Sequence, residues 1–220
     1  MIAVVDYHKG NLKSVERGLI GVGGDARITD DPQVIRAASA IVLPGVGAYA
    51  DASAAMKELG QMEVIRERVE EGVPFLGICL GLQLMFEEGE EHAQRAEDGT
   101  ILSMPEGLGF IGGCAHRLPD TDDQGTMYKI PHVGWNSVEY VGDYHPWLFE
   151  GIPSGEHFYF THSYVAPKSA ATIATTTHSI TFPSAVACGA FAFGVQFHPE
   201  KSSDAGAAVL RNFVKICDRA

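Results

Sequence analysis

Ile2-Ala3-Val4-Val5 is an unbroken apolar run that ends at Asp6. So short a run without alternation suits a strand buried on both faces, and a first strand is predicted over Ile2 to Tyr7. The period then changes. Leu12, Val15, Leu19 and Val22 recur at three- and four-residue steps, the stripe of an amphipathic helix. Asn11 is placed to cap its start and Gly23-Gly24 to stop it. Further strands are predicted at Asp25 to Thr29 and Ala40 to Leu43, with a short helix from Pro32 to Ala38 between them. Helices follow over Ala48 to Leu59 and Met62 to Glu71, the second with Met62, Ile65 and Val69 on one face. Val73 to Ile78 reads as another buried strand, and Leu80 to Glu88 as a helix rich in Leu, Met and Glu. The acidic run Glu87-Glu88-Gly89-Glu90-Glu91 reads as its solvated end. This alternation implies a parallel sheet covered by helices on both sides.

Beyond Leu108 the pattern turns to short alternating strands. Turn signals separate them at Gly112-Gly113, Pro119-Asp120, Gly142-Asp143 and Pro153-Ser154-Gly155. Phe191, Phe193, Val195 and Phe197 form one face of a late strand, which leaves Gln196 and His198 on the other. Glu200 continues that parity, and Pro199 is expected to keep the pair extended. A last helix, Asp204 to Asp218, carries Leu210, Phe213, Val214 and Cys217 at helical spacing. The fold class predicted is α/β, a mostly parallel sheet flanked by helices with antiparallel strands added in the C-terminal half. A chain of 220 residues suits a single domain over residues 1–220.

Charge and cysteine usage narrow the function classes. A net charge of −12 argues against nonspecific binding to nucleic acid or to an anionic membrane surface. No apolar run has the length of a membrane span, and the first residues lack the basic region of a signal peptide. Four cysteines, Cys79, Cys114, Cys188 and Cys217, lie far apart with no C-x-x-C pair. A reducing cytoplasm is therefore expected, without a disulfide framework or a zinc site. The nine histidines form no metal-binding spacing. No metal and no cofactor is expected, and His92, His116, His145 and His178 read as surface or turn residues.

The chemistry concentrates at Gly77-Ile78-Cys79-Leu80-Gly81-Leu82-Gln83. A cysteine between a strand end and a helix start, with Gly two residues away on each side, has the form of a nucleophile elbow. The helix N-terminus there favours thiolate over thiol. A buried structural cysteine is the plain alternative, and His198 and Glu200 weigh against it. A base oriented by a carboxylate and aimed at a cysteine is the logic of nucleophilic catalysis. Pro44-Gly45-Val46-Gly47 follows a strand at the carboxyl edge where open α/β sheets place their sites, and its amides suit an oxyanion. Alone it would be a plain turn.

G-x-C-x-G-x-Q with a late His198-Pro199-Glu200 resembles the class I, triad-type glutamine amidotransferases over the whole chain. Asp6-Tyr7-His8-Lys9-Gly10-Asn11, His132-Val133-Gly134-Trp135-Asn136, Phe160-Thr161-His162-Ser163-Tyr164, Pro183-Ser184-Ala185-Val186 and Lys201-Ser202-Ser203 resemble one branch. That branch is the glutaminase subunits of imidazole glycerol phosphate synthases in histidine biosynthesis. The resemblance implies that Cys79 attacks L-glutamine to give a glutamyl thioester. It implies that His198 protonates departing ammonia and activates water, and that Glu200 supports the imidazolium. The oxyanion would be met by the amide of Leu80 and one from Val46 and Gly47. Gln83, Glu91, and the backbone of Ser163 and Tyr164 would bind the substrate. Asn11, Trp135, Tyr159 and Lys201 would face the partner, a (β/α)8-barrel cyclase subunit completing a heterodimer, and its ammonia channel.

One departure stands out. The family usually has Gly after Asp-Tyr, and here His8 and Lys9 occupy that loop. Two other functions stay open: a glutaminase serving anthranilate, purine or pyridoxal phosphate synthesis, and a non-catalytic regulatory subunit. For Trp135 and Tyr159, a place in the core is the alternative to an interface.

Overall fold

A computed structural model describes residues 1–142 and 147–219. The chain order is β1 (Ile2–Val5), α1 (Leu12–Gly21), β2 (Ala26–Thr29), α2 (Pro32–Ala37), β3 (Ala40–Gly45), α3 (Tyr49–Glu58) and α4 (Gln61–Glu70). Next come β4 (Phe75–Cys79), the one-turn α5 (Leu80–Gln83), β5 (Phe86–Gly89), the short pair β6 (Gln94–Arg95) and β7 (Ile101–Ser103), and β8 (Ile111–Arg117). The last part holds β9 (His132–Tyr140), β10 (Glu156–His162), β11 (Tyr164–Val165), β12 (Thr172–Thr177), β13 (Thr181–Cys188), β14 (Ala192–Val195) and α6 (Ser203–Cys217). Nine strands form one sheet in the order β10-β9-β12-β13-β14-β4-β3-β1-β2. From β2 to β14 all pairings are parallel, and from β14 to β10 all are antiparallel. The mixed sheet predicted from the two halves of the sequence is the one observed.

Unbroken apolar strands arise because both faces are covered. In β1, Ile2 and Val4 pack into a cluster with Val15, Leu19, Val209, Leu210 and Phe213 of α1 and α6. Ala3 and Val5 pack on the opposite side with Ile35, Tyr49, Met56, Met62 and Ile65 of α2, α3 and α4. Neighbouring residues of a strand thus serve different cores.

Four local expectations fail. The helix predicted over Leu80 to Glu88 ends at Gln83. Leu82, Leu84, Met85 and Phe86 are all wholly buried, leaving no face for solvent, and the chain passes into β5 beside β8. A side chain at Gly89 would meet the Tyr49 ring at 2.5 Å, so the strand lies tight against α3. The acidic run is accordingly not a helix end: Glu87 accepts from the Gly113 amide, Glu90 from Arg117 and Glu91 from Tyr49. Gly112-Gly113 is no turn but lies inside β8. Asn11 precedes α1 without a side-chain capping bond. The expected turn at Gly142-Asp143 runs outside the described residues at Asp143, as does His145.

Candidate active site

The register of two parallel strands sets the site. Val195 of β14 lies opposite Ile78 of β4, so Cys79 and the segment after Val195 leave the sheet at the same edge. Cys79 itself has φ +56° and ψ −106°, a left-handed conformation that costs a non-glycine residue of order 1–3 kcal/mol. Close packing over-determines it. A methyl group at Gly81 would come within 1.9 Å of the Leu43 carbonyl oxygen, and one at Gly77 within 2.4 Å of the Gly81 oxygen. Neither position tolerates any side chain. The helix behind the cysteine is a single turn, so its macrodipole is small and any favourable field comes from the local amides.

His198 is buried and holds Glu200 through Nδ1, 2.9 Å from Oε1. The parity argument for this pair does not hold. His198 is extended, but Pro199–Lys201 form a turn of 3-10 helix, and that turn brings the carboxylate back to the ring. Burial opposes charge on His198, yet Cys79 and Glu200 together overcome it and raise the imidazole to about 10. The sulfur acts on the ring through charge and as an acceptor, although Nε2 has no fully formed hydrogen bond and stays buried and available. A charged imidazole beside a cysteine sulfur, with its other nitrogen held by a carboxylate, has the chemistry to move one proton to a leaving group and back.

The pocket in front of Cys79 has a volume of about 300 Å³ and is lined by Gly45, Val46, Gly47, Leu80, Gln83 and Glu91 on one side. Pro131, Thr161, His162, Ser163 and Tyr164 close the other. The structure therefore brings together Cys79, Leu80, Val46, Gly47, Gln83, Glu91, Ser163 and Tyr164. Burial pushes the Glu91 carboxyl up, opposed by its bond from the Tyr49 amide. Gln83 is wholly committed through its nitrogen, which donates to the Tyr164 carbonyl at 2.8 Å and to Gln196 Oε1 at 3.1 Å. Its oxygen remains as an acceptor for a donor on a ligand. A larger hollow of about 450 Å³ lies toward the opposite end of β14, around Val73, Phe110 and Cys188. No histidine lines it, so Cys188 lacks a base there.

The far wall holds a group that the sequence reading missed. His162 Nδ1 donates to the Tyr164 carbonyl at 3.0 Å, since a carbonyl can only accept. His162 Nε2 lies 3.1 Å from His132 Nδ1, and His132 Nε2 lies 3.2 Å from Asn136 Nδ2. Burial chiefly holds both rings neutral, at about 3 for His162 and about 4 for His132. His178, expected as a surface or turn residue, lies in the bend between β12 and β13 and stacks on His132 at 4.3 Å. The signal available was the alternation of His132, Gly134 and Asn136 along one strand. Among the described residues, no group of three or more His, Cys, Asp or Glu could hold a metal ion.

The residues expected at an interface sit outside the pocket. Trp135 is 52% exposed, which removes it from the core, and it meets Tyr159 edge-on across β9 and β10. Asn11 and Lys201 are exposed and line a small cavity that reaches His198 and Glu200. In the loop that departs from the family, His8 adopts φ +63° and pairs with Asp30 at 3.0 Å. A left-handed position explains why glycine is usual there.

Comparison with known proteins agrees with this geometry. The family described as glutamine amidotransferase class-I matches residues 3–217. The imidazole glycerol phosphate synthase subunit HisH of Moorella thermoacetica is 44% identical over 100% of this chain and 96% of its own length. The subunit of that name from Syntrophotalea carbinolica is also 44% identical, over 97% of this chain and 98% of its own. Among solved structures, a glutamine amidotransferase superposes with a TM-score of 0.70 at 18% identity, over 99% of this chain and 100% of that one. The glutaminase domain of Trypanosoma brucei CTPS, with bound acivicin, gives 0.64 at 17% identity over 99% of this chain and 93% of that one. Both show the fold. The chain belongs to the class I glutamine amidotransferases.

Proposed function

We propose that this chain is the glutaminase subunit of an imidazole glycerol phosphate synthase, one domain over residues 1–220, with Cys79, His198 and Glu200 as its triad. The observation that carries the reading is the His198–Glu200 pair facing a strained cysteine on a pocket that takes a small polar molecule. The Cys79 sulfur attacks the carboxamide carbon of L-glutamine and the carbonyl electrons move to oxygen. The Leu80 amide and one from Val46 and Gly47 receive that oxyanion. His198 Nε2–H passes its proton to the nitrogen as the C–N bond breaks, releasing ammonia and leaving a glutamyl thioester. The now neutral imidazole takes a proton from water, whose oxygen attacks the thioester. Collapse of the second intermediate expels the sulfur, and the new carboxylic acid loses its proton to solvent. Glu200 holds the ring and supports its charge throughout. Gln83, Glu91 and the backbone of Ser163 and Tyr164 bind the amino-acid end.

Ammonia passes to a (β/α)8-barrel cyclase partner. That step is supported by the full-length likeness to HisH subunits and by the exposed Trp135, beside Tyr159, Asn11 and Lys201. The small cavity between His198, Asn11 and Lys201, about 20 Å³, suits a molecule of ammonia's size leaving that way. No helix among the described residues is long and apolar enough to cross a membrane, and the four cysteines are free, which fits a cytoplasmic enzyme. An electrophilic glutamine analogue should label Cys79 and abolish glutaminase activity in the isolated chain and in the complex. Labelling mainly at Cys114, Cys188 or Cys217 would overturn the assignment.

A further inference from the structure

Gln196 is completely buried, and its position follows from the sheet rather than from the pocket. It comes directly after β14, and its amide donates to the Ser184 carbonyl of β13 at 2.9 Å. Its side chain reaches toward β4. The side-chain Nε2 lies 3.6 Å from the Cys79 sulfur, and the side-chain Oε1 accepts from Gln83 Nε2 at 3.1 Å.

The orientation of both side-chain amides is settled by one backbone group. The Tyr164 carbonyl can only accept, so the Gln83 atom 2.8 Å from it is nitrogen. That nitrogen has a second hydrogen, which points to Gln196, so Gln196 must present oxygen there. Its nitrogen is left for the sulfur. Rotating the Gln196 amide by 180° would set two donors against each other at Gln83 and expose the thiolate to a carbonyl oxygen. The sulfur has a different partner for each of its states. As a thiol it can donate to the Thr161 carbonyl at 3.9 Å, and as a thiolate it can only accept, which Gln196 answers.

We propose that Gln196 is a catalytic residue of this site, a fixed hydrogen-bond donor to the Cys79 thiolate that holds the sulfur between His198 and the substrate carbon. The proposal rests on Cys79 being the nucleophile. Gln196 ionises at no pH. The titratable groups around the sulfur are Tyr7 just beyond β1, Glu91 across the pocket, His198 and Glu200 in the turn after β14, and His162 of β10. None of them changes with a substitution at position 196.

The test reads the thiol directly, so it is separate from glutamine turnover. The rate at which a small haloacetamide alkylates Cys79 is measured from pH 5 to pH 10 in the wild type and in Gln196→Met. Met keeps the length of the side chain and removes the donor. Hydrogen bonds to charged groups contribute enough for roughly a tenfold effect, taking the low end for a long bond to sulfur. Alkylation at neutral pH should fall by roughly that factor and converge with the wild type at high pH, where every thiol is ionised. A residue that only supports packing would instead lower the denaturant midpoint and leave the pH profile in place. Should the variant not fold, 15N-labelled wild-type protein gives the same answer: the side-chain amide signals of Gln196 should move when Cys79 is alkylated. Superimposable alkylation profiles, or Gln196 signals indifferent to the state of the sulfur, would overturn the proposal.

Discussion

Two sides of the active site bury histidines and drive them in opposite directions. On the β4–β14 wall His198 is raised to about 10, whereas on the β9–β10 wall His132 and His162 are lowered to about 4 and about 3. Burial opposes charge on all three, so it cannot be what distinguishes them. The partners are. His198 faces a carboxylate and a sulfur, whereas the other two face each other, an amide and a carbonyl. One wall is built to carry a proton. The other is built never to take one, which keeps the Tyr164 carbonyl in place as the common acceptor for His162 and Gln83.

The sharpest break of this contrast is His198→Ala, which should lower glutaminase turnover about 10⁶-fold, as removal of a base in a comparable triad does. Glu200→Gln should cost less, roughly 10⁴-fold, because the imidazole remains and loses only the carboxylate charge that orients and supports it. Equal losses in both would count against the division of roles. His162→Leu removes the donor to Tyr164 without touching the triad. A KM raised about fivefold with kcat changed less is expected, since one hydrogen bond contributes about 1 kcal/mol. A fall in kcat alone would place His162 in the chemistry instead.

Stability should show the same opposition in pH. The His198 contribution is full below the ordinary imidazole value of about 6.5 and is lost as pH rises through about 10. The His132 and His162 contribution is full above about 6.5 and is lost as pH falls toward about 4 and about 3. Urea midpoints measured across this range should therefore decline on both sides, and 13C-labelled ring signals should show His132 and His162 still neutral at pH 5.5. An imidazolium at either position there would erase the contrast. The smallest effect is expected outside both walls: Trp135→Ala, at a half-exposed site, should change the stability of the isolated chain by less than about 0.5 kcal/mol while weakening any activation by a partner.

The two walls were not equally legible in the sequence. Gly77, Cys79 and Gly81 lie within five residues, and strand, turn and helix start are local properties that neighbouring residues decide. His198 and Glu200 could be paired from their separation of two, although the actual connection is a 3-10 turn that Pro199 opens. The opposite wall gives no such local sign. His132, His162 and His178 are joined only by the antiparallel register of β9 and β10 and the return of β12 into β13. Gln196 was visible on the face of His198, but the amide of Gln83 that fixes its orientation is 113 residues away. The short helix after Cys79 was misjudged because Leu, Met and Glu favour helix, and the tertiary demand to bury Leu84, Met85 and Phe86 prevailed.

The place of β14 governs when the enzyme can exist. It is the last strand in the chain and yet sits in the middle of the sheet, between β13 and β4. During synthesis the parallel half can fold around Cys79, but its β4 edge stays open until β14 arrives and closes it. His198, Gln196 and Glu200 all arrive with that strand or just after it. Pairing over such a sequence distance is slow and leaves an unpaired edge exposed meanwhile. The nascent chain thus carries its cysteine long before it carries a base, and hydrolysis can begin only after the sheet has been sealed.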